Sequence, residues 1–222
     1  MNRKLIVLEG TDGSGKSTQF ALLCRRLEEA GRPFHRIVFH QYQEPSSALV
    51  RMYLGGAFGA RPADVNPYAA STFYAVDRYA SYQKVWGENY RAGKLILADR
   101  YTTSNAVHQT GKLPEEAWEG FLHWLVDFEY QKLGLPEPDL VLYLDMPTQR
   151  AAELLRRREG ELHTAGDIHE TDTAYLCRCR QAALQAAELL GWVRVSCVDG
   201  AGAVRPPEDL HREIWEIIQS EF

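Results

Sequence analysis

Cysteine is scarce in this chain and poorly placed for bridging. There are four in 222 residues: Cys24, Cys177, Cys179 and Cys197, with no C-x-x-C pair among them. Cys177 and Cys179 stand two apart on a helix-like stretch, so they point to different faces. That pattern argues against a zinc site or a disulfide framework and for reduced, mostly buried thiols. Long apolar runs are missing too. Nothing approaches the ~20 residues of a membrane span, and no charged-plus-apolar leader precedes the first strand; the cytoplasm is the expected compartment. Positive charge is not in excess. With 25 Lys and Arg against 30 Asp and Glu, the net charge is -5, so no general nucleic-acid-binding surface is expected. Repeats, low-complexity tracts, linkers and the guanine-reading N-K-x-D motif are all lacking.

What is present is concentrated at residues 4–18, KLIVLEGTDGSGKST. Leu5-Ile6-Val7-Leu8 is a short apolar run of the kind that forms a buried parallel strand. It leads into Gly10-Thr11-Asp12-Gly13-Ser14-Gly15-Lys16-Ser17, a complete G-x-x-x-x-G-K-S phosphate loop, followed by Thr18 and a helix-like run. Glycines let backbone N–H groups turn inward as an anion nest, and the helix N-terminus adds about half a positive charge behind it. Lys16 would reach the β- and γ-phosphates of a nucleoside triphosphate, and the Ser17 hydroxyl would ligate Mg²⁺.

Further along, the pattern alternates. A first helix should run to about Ala30, with Gly31 as its stop. A second strand should cover 34–39. Ser46 and Ser47 offer caps for a short helix through Leu54. Residues 67–89 form a long aromatic helix, 95–98 a third strand, 115–131 an amphipathic helix, and 139–144 a fourth strand. Helix 148–158 ends in three arginines and leads to a polar, aperiodic lid at about 159–172. Helix 173–190, strand 193–198 and helix 206–219 close the chain. Strands alternating with helices after a phosphate loop imply an α/β fold: a doubly wound, five-stranded, mainly parallel sheet flanked by helices in three layers. Residues 1–222 read as one domain.

Several side chains could carry chemistry. Asp99 ends the third strand and can hold Mg²⁺ as a Walker-B acid, and Arg100 beside it can clamp phosphates. A carboxylate inside a phosphate loop is electrostatically costly, so Asp12 should have a task at a sugar hydroxyl or an attacking group. Arg156, Arg157 and Arg158 could stabilise transferring phosphoryl charge from the lid entry. On the long helix, Tyr74 and Arg78 share one face and Phe73 and Asp77 another, which suits either a stacked nucleobase or core packing.

These residues resemble the thymidylate kinase family, the P-loop nucleoside monophosphate kinases that make dTDP from dTMP and ATP. The similarity runs over almost the whole chain. It is carried by LIVLEGTDGSGKST, by Asp99-Arg100-Tyr101 with Ser104 after it, by PDLVLYLD at 138–145, by the arginine-rich lid entry and by the strand ending Val198-Asp199. The resemblance implies the P-loop NTPase fold and Mg²⁺ with ATP as donor. It puts Asp12 on the acceptor's 3′-hydroxyl, Arg100 between donor and acceptor phosphates, Arg78 on the pyrimidine, and an aromatic (Tyr74 by spacing, Phe73 by residue type) stacked on it. It also puts Gln109 at the base and implies a homodimer built through helices like the long one. With Gly13 where some members carry an arginine, it assigns the catalytic lid arginine to Arg158 or Arg156. Two features depart from the family pattern. The segment His40-Gln41-Tyr42-Gln43-Glu44-Pro45 lacks the usual arginine after the second strand, the next being Arg51. The lid also lacks the usual Asp-Arg-aromatic-Glu pattern.

A kinase of deoxynucleosides and, at greater distance, a nucleotide-dependent switch remain alternative readings of the same residues. If Arg158 is an arginine finger, Arg158→Ala should lower kcat by about 10³-fold or more in steady-state kinetics. A change in KM alone would make it a binding residue.

Overall fold

The computed structural model describes residues 4–162 and 173–220, the side chains of 157–162 excepted. Five strands form one sheet: β1 (Lys4–Glu9), β2 (Phe34–Val38), β3 (Leu95–Asp99), β4 (Leu140–Asp145) and β5 (Val193–Ser196), in the order β2-β3-β1-β4-β5. Every pairing is parallel, so the expected mainly parallel sheet is wholly so. The helices are α1 (Lys16–Glu29), α2 (Ala48–Leu54), α3 (Pro67–Ser81), α4 (Gly87–Arg91), α5 (Thr103–His108), α6 (Trp118–Val126), α7 (Thr148–Leu162), α8 (Thr173–Leu189) and α9 (Pro207–Ser220). None of the described helices is long and apolar enough to cross a membrane.

Both faces of the sheet are covered, which is why β1 reads as a continuous apolar run rather than an alternating one. Ile6 and Leu8 pack under α1 and α9 with Phe20, Leu23, Leu27, Ile214 and Ile218. Leu5 and Val7 face the other way, towards Ile37, Trp86, Ile96 and Tyr101. Three of the cysteines are buried, Cys177 is exposed, and all four are free.

The two longest expected helices are each interrupted. The one expected over 67–89 contains a π-helical turn, Tyr82–Trp86, between α3 and α4. The extra residue in that turn rotates Trp86 into the core, edge-on to Tyr82 (4.7 Å) and Tyr101 (6.1 Å). Gly87 follows because a Cβ there would lie 2.4 Å from the Tyr82 carbonyl oxygen. The helix expected over 115–131 is a 3₁₀ turn, α6 and a second π turn, Asp127–Lys132. Of the expected apolar side, Trp118, Phe121, Leu122 and Leu125 are buried and Phe128 is half-buried, and Glu129 on the π turn is also fully buried. Ser46 and Ser47 do not cap α2: Ser46 Oγ donates to Asp77 and Ser47 Oγ to the Gln41 and Glu44 carbonyls. α7 extends to Leu162, four residues into the stretch expected as a lid. The rest of that stretch, with His163 and His169, lies outside the described residues, as do the side chains of Arg157 and Arg158.

The start of α8 is fastened to the turn that follows α5. Tyr175 Oη donates to the His108 carbonyl (2.7 Å), and Arg178 donates to the carbonyls of Gly111 (2.9 Å) and Leu113. In the same turn, Lys112 Nζ donates to Tyr53 Oη (2.7 Å) and the Val65 carbonyl (3.3 Å). Burial lowers the Lys112 pKa to about 7. Between pH 7 and the ordinary lysine range the unfolded chain therefore binds one more proton at this site than the folded chain, so raising the pH stabilises the fold. Above about pH 9 the buried Cys179 and Cys197, both pushed up to about 12, act in the opposite direction. The thermal midpoint should rise from pH 7 to 9. Lys112→Met should flatten that rise, as scanning calorimetry across the range would show.

Candidate active site

β1 delivers the chain into the phosphate loop at the carboxyl edge of the sheet. Gly13 (φ 79°) and Gly15 (φ 82°) take left-handed backbone there, which glycine adopts without strain. A Cβ on Gly13 would stand 2.6 Å from the Ala151 carbonyl oxygen, so the loop is pressed against α7. Thr11 through Thr18 line a cleft of about 810 Å³ that also reaches Arg150, Leu154, Arg205 and Pro206. Gly10 is the one expected nucleotide-binding residue that does not line it. Its N–H is bound to Glu9 Oε1 (2.9 Å), and its lack of a side chain leaves room for Ser14 Oγ.

A second cavity, of about 320 Å³, adjoins the first and shares Asp12, Lys16, Ser17 and Arg100 with it. Its remaining wall includes His40, Tyr42, Tyr74, Asp99, Ser104, Asn105, His108 and Gln109. Of the residues expected on the acceptor side, Asp12, Tyr74, Arg100, Ser104 and Gln109 therefore meet here. Phe73 does not: it turns away to pack on Tyr53 (6.5 Å) and Phe58 (5.6 Å). Of the two candidates Tyr74 is the one in the wall, with the His40 ring 4.3 Å from its own. Burial, reinforced by Arg78 and Arg100, holds the His40 pKa well below its usual value, so its imidazole is neutral.

Arg100 is the centre of the shared region. Its Nη2 donates to Asp12 Oδ1 (2.6 Å), and its Nη1 reaches Glu9 Oε1 (3.4 Å), Ser104 Oγ (3.3 Å) and His108 Nε2 (3.4 Å). Its backbone is left-handed (φ 66°), a conformation a non-glycine residue holds only where its surroundings enforce it. Burial works against its charge, but Asp12 and Glu9 outweigh that effect and its pKa rises. Glu9, fully buried, also accepts from Thr103 Oγ1 and Ser104 Oγ, both at 2.7 Å. Glu9 carries little local signal in the sequence. Its one signal was a carboxylate as the last residue of an otherwise apolar strand.

Lys16 Nζ is bonded to Asp99 Oδ1. Burial lowers the Lys16 pKa, with Arg100 adding to that effect and Asp99 opposing it. Asp99 Oδ2 has no hydrogen-bond partner among the described residues, and both Asp99 and Ser17 border the cavity. A hydroxyl and a carboxylate are hard oxygen donors, the kind that suits Mg²⁺, so the residues present fit that ion.

Arg78 is not in the cavity wall. It is fully buried behind it, with Nε (2.6 Å) and Nη2 on the Glu129 carboxylate and Nη1 on the Tyr101 carbonyl (3.3 Å). The pyrimidine expected to meet Arg78 would find its guanidinium paired with Glu129 in this structure. No arginine from the loop after β2 reaches the cavity either. Gln41 turns its amide to the Val38 carbonyl (2.7 Å), and Arg51 pins the loop through the carbonyls of Tyr42 (2.6 Å) and Glu44 (3.1 Å). Arg156 is exposed and borders neither cleft. Two adjoining clefts with a shared floor of a lysine, an arginine, a serine and a carboxylate can hold two anions side by side and pass a group between them.

A family model described as thymidylate kinase matches residues 8–214. The thymidylate kinase of Mycobacterium tuberculosis (strain H37Rv) is 32% identical over 170 residues, 76% of this chain and 78% of that one. The probable thymidylate kinase of Thermococcus gammatolerans is 29% identical over 226 residues, covering 98% and 96%. The solved thymidylate kinase of Candida albicans matches 99% of this chain and 92% of its own with a TM-score of 0.73. At 22% identity, that likeness speaks for the fold.

The Gly13 geometry has a direct test. Gly13→Ala adds a methyl against the Ala151 carbonyl and strains the backbone by about 1–3 kcal/mol. It should weaken nucleoside triphosphate binding by about tenfold or more in calorimetric titration.

Proposed function

The chain belongs to the thymidylate kinase family, whose reaction transfers the γ-phosphate of ATP to dTMP, and we propose that it performs this transfer across the floor shared by its two clefts. The larger cleft holds ATP and the smaller holds dTMP. The observation that carries this reading is that Asp12, Lys16, Ser17 and Arg100 line both. A switch that only binds and hydrolyses a nucleotide has no need of the second cavity.

The roles follow from position. Backbone N–H groups of the loop and Lys16 hold the donor phosphates. Arg100, already oriented by Asp12 and Glu9, stabilises charge on the phosphates from both sides. Asp12 accepts from the 3′-hydroxyl of the acceptor sugar, Tyr74 packs on the base, and Ser104 and Gln109 complete the wall. An acceptor phosphate oxygen attacks the γ-phosphorus in line, with no covalent enzyme intermediate. Ser17 and Asp99 would hold Mg²⁺, which when bound supplies charge neutralisation at the β- and γ-phosphates. Arg158, or Arg156, supplies a further cation at the transferring group. One kinase domain spanning the chain serves both substrates in the cytoplasm, a compartment that suits four free thiols.

The active form is a homodimer. Leu49 and Met52 on α2 and Tyr68, Val76 and Tyr79 on α3 are exposed apolar side chains, and a second copy would cover them.

ADP release measured against a panel of monophosphates and nucleosides tests the reading. dTMP should give the highest kcat/KM, and Lys16→Ala should nearly abolish turnover. Faster phosphorylation of thymidine than of dTMP, or slow hydrolysis indifferent to every acceptor, would overturn it.

A further inference from the structure

The smaller cavity is walled on one side by α5 and the turn after it and on another by α2 and α3, which contribute Leu54 and Tyr74. Behind Leu54 and Tyr74 lies a small apolar cluster that includes Val50, Tyr53 and Val65, separate from the clusters on the two faces of the sheet. Lys112, in the turn after α5, reaches across to it. Its Nζ donates to Tyr53 Oη (2.7 Å) and to the Val65 carbonyl (3.3 Å), and stands 4.8 Å from the centre of the Tyr53 ring. Tyr53 is fully buried and edge-on to the Tyr74 ring at 6.1 Å. Val65 immediately precedes Asn66, which caps α3 by accepting from the Tyr68 N–H (2.8 Å). Lys112 itself borders neither cleft.

We propose that Lys112 is a positioning residue of the acceptor cavity: its amine stitches α2 and the entry to α3 onto the turn after α5, and the cavity holds its acceptor well only while that amine is neutral. The inference rests on the kinase reading given above. None of the joined segments is a strand, so the sheet does not fix their spacing. The turn is already anchored on its other side, where Tyr175 and Arg178 of α8 hold its carbonyls. Lys112 carries that anchorage across to Tyr53, and through the Tyr53 ring to Tyr74. Asn105 Nδ2 makes a separate crossing to α3, at the Ser71 carbonyl (3.2 Å), but its bonds do not reach α2.

The contacts make the stitch sensitive to protons. A neutral amine has two N–H donors and a lone pair, so it can serve the Val65 carbonyl and bond Tyr53 in either direction. An ammonium brings a charge, and no carboxylate bonds to it among the described residues. Asp64, next to Val65, is paired with Arg61 (2.8 Å). The ionisable groups on the elements packed around the turn are Tyr53 on α2, His108 on α5, Glu119 and His123 on α6, and Tyr175, Arg178 and Cys179 on α8. Arg178 is itself a cation, fastened to carbonyls on both sides of Lys112. Only the Cys179 thiolate would favour the ammonium, and that thiol, pushed up to about 12, stays neutral. Burial therefore prevails and lowers the Lys112 pKa to about 7. Below that pH the amine gains a charge that water alone can match, and reaching water draws it away from Tyr53 and Val65. Acceptor affinity then falls as the pH falls.

The test is steady-state KM for dTMP and for ATP at pH 6, 7 and 8, in wild type, Lys112→Met and Lys112→Arg. When only the neutral form of such an amine supports binding, the KM for dTMP rises about tenfold from pH 8 to pH 6 on that account. Titration of the acceptor phosphate is common to all three proteins, so the readout is the difference between their profiles. Lys112→Met keeps an apolar stem and loses the proton; it should flatten the dTMP profile by about that factor. Lys112→Arg, charged throughout, should hold the KM for dTMP at or above the wild-type pH 6 value at every pH. The KM for ATP should stay within about twofold of wild type. A Lys112→Met profile parallel to that of wild type overturns the inference, because a merely structural lysine would shift KM without altering its pH dependence. An equal change in the KM for ATP overturns it too. If Lys112→Met does not fold, Tyr53→Phe removes the partner hydroxyl and keeps the ring. It should raise the KM for dTMP at pH 8 by about threefold or more, and an unchanged value overturns the inference. Absence of dTMP turnover in the wild type would instead overturn the kinase reading, and this inference with it.

Discussion

Arg100 can occupy the junction of two anion clefts because two carboxylates hold it there. Glu9 and Asp12 approach it from the strand end and the loop, and Glu9 at the same time fastens Thr103 and Ser104 at the start of α5. One buried acid therefore sets the relative placement of the loop, the turn after β3 and the acceptor wall. Neutralising it would leave a buried guanidinium short of a counter-charge and two hydroxyls without their acceptor, a loss of several kcal/mol by the usual cost of breaking buried pairs.

The same principle governs the rest of the floor. Lys16 is paired with Asp99 and Arg100 with Asp12. A ligand must compete with these carboxylates for the cations. A polyphosphate has the charge to do so, particularly once a divalent ion satisfies the acids, while a monovalent anion exchanges one pairing for a weaker one. Self-pairing of this kind makes the site respond to charge number before it responds to shape.

The parts legible in the sequence are those whose signal is local. The phosphate loop, the five strands, Asp99-Arg100-Tyr101 and the helix stop at Gly31 each depend on neighbours a few residues away. Glu129 was not legible as a site residue: four residues past Leu125 it falls on the buried helix face, but only the tertiary structure shows the arginine that makes a buried carboxylate tolerable there. The pairing of Arg78 was not legible either, since its partner lies 51 residues on. Glu9 was hidden by belonging to a strand, where the apolar pattern draws attention away from the one polar end. Phe73 and Tyr74 differ by one position, a rotation of about 100° on a helix, and of the two only Tyr74 reaches the cavity wall.

The bonds from Tyr175 and Arg178 to the carbonyls of His108, Gly111 and Leu113 tie α8 to the acceptor wall through main chain rather than side chain. A main-chain tether is blind to which side chains the tethered turn carries. Variation at His108 or Gln109 can therefore reshape what the cavity accepts while its frame stays put. Conversely, changes on α8, a helix touching neither phosphate floor nor base, can shift the whole wall as a unit. The fold thus keeps the tuning of acceptor choice separate from the chemistry of transfer, on two sets of residues that can drift independently.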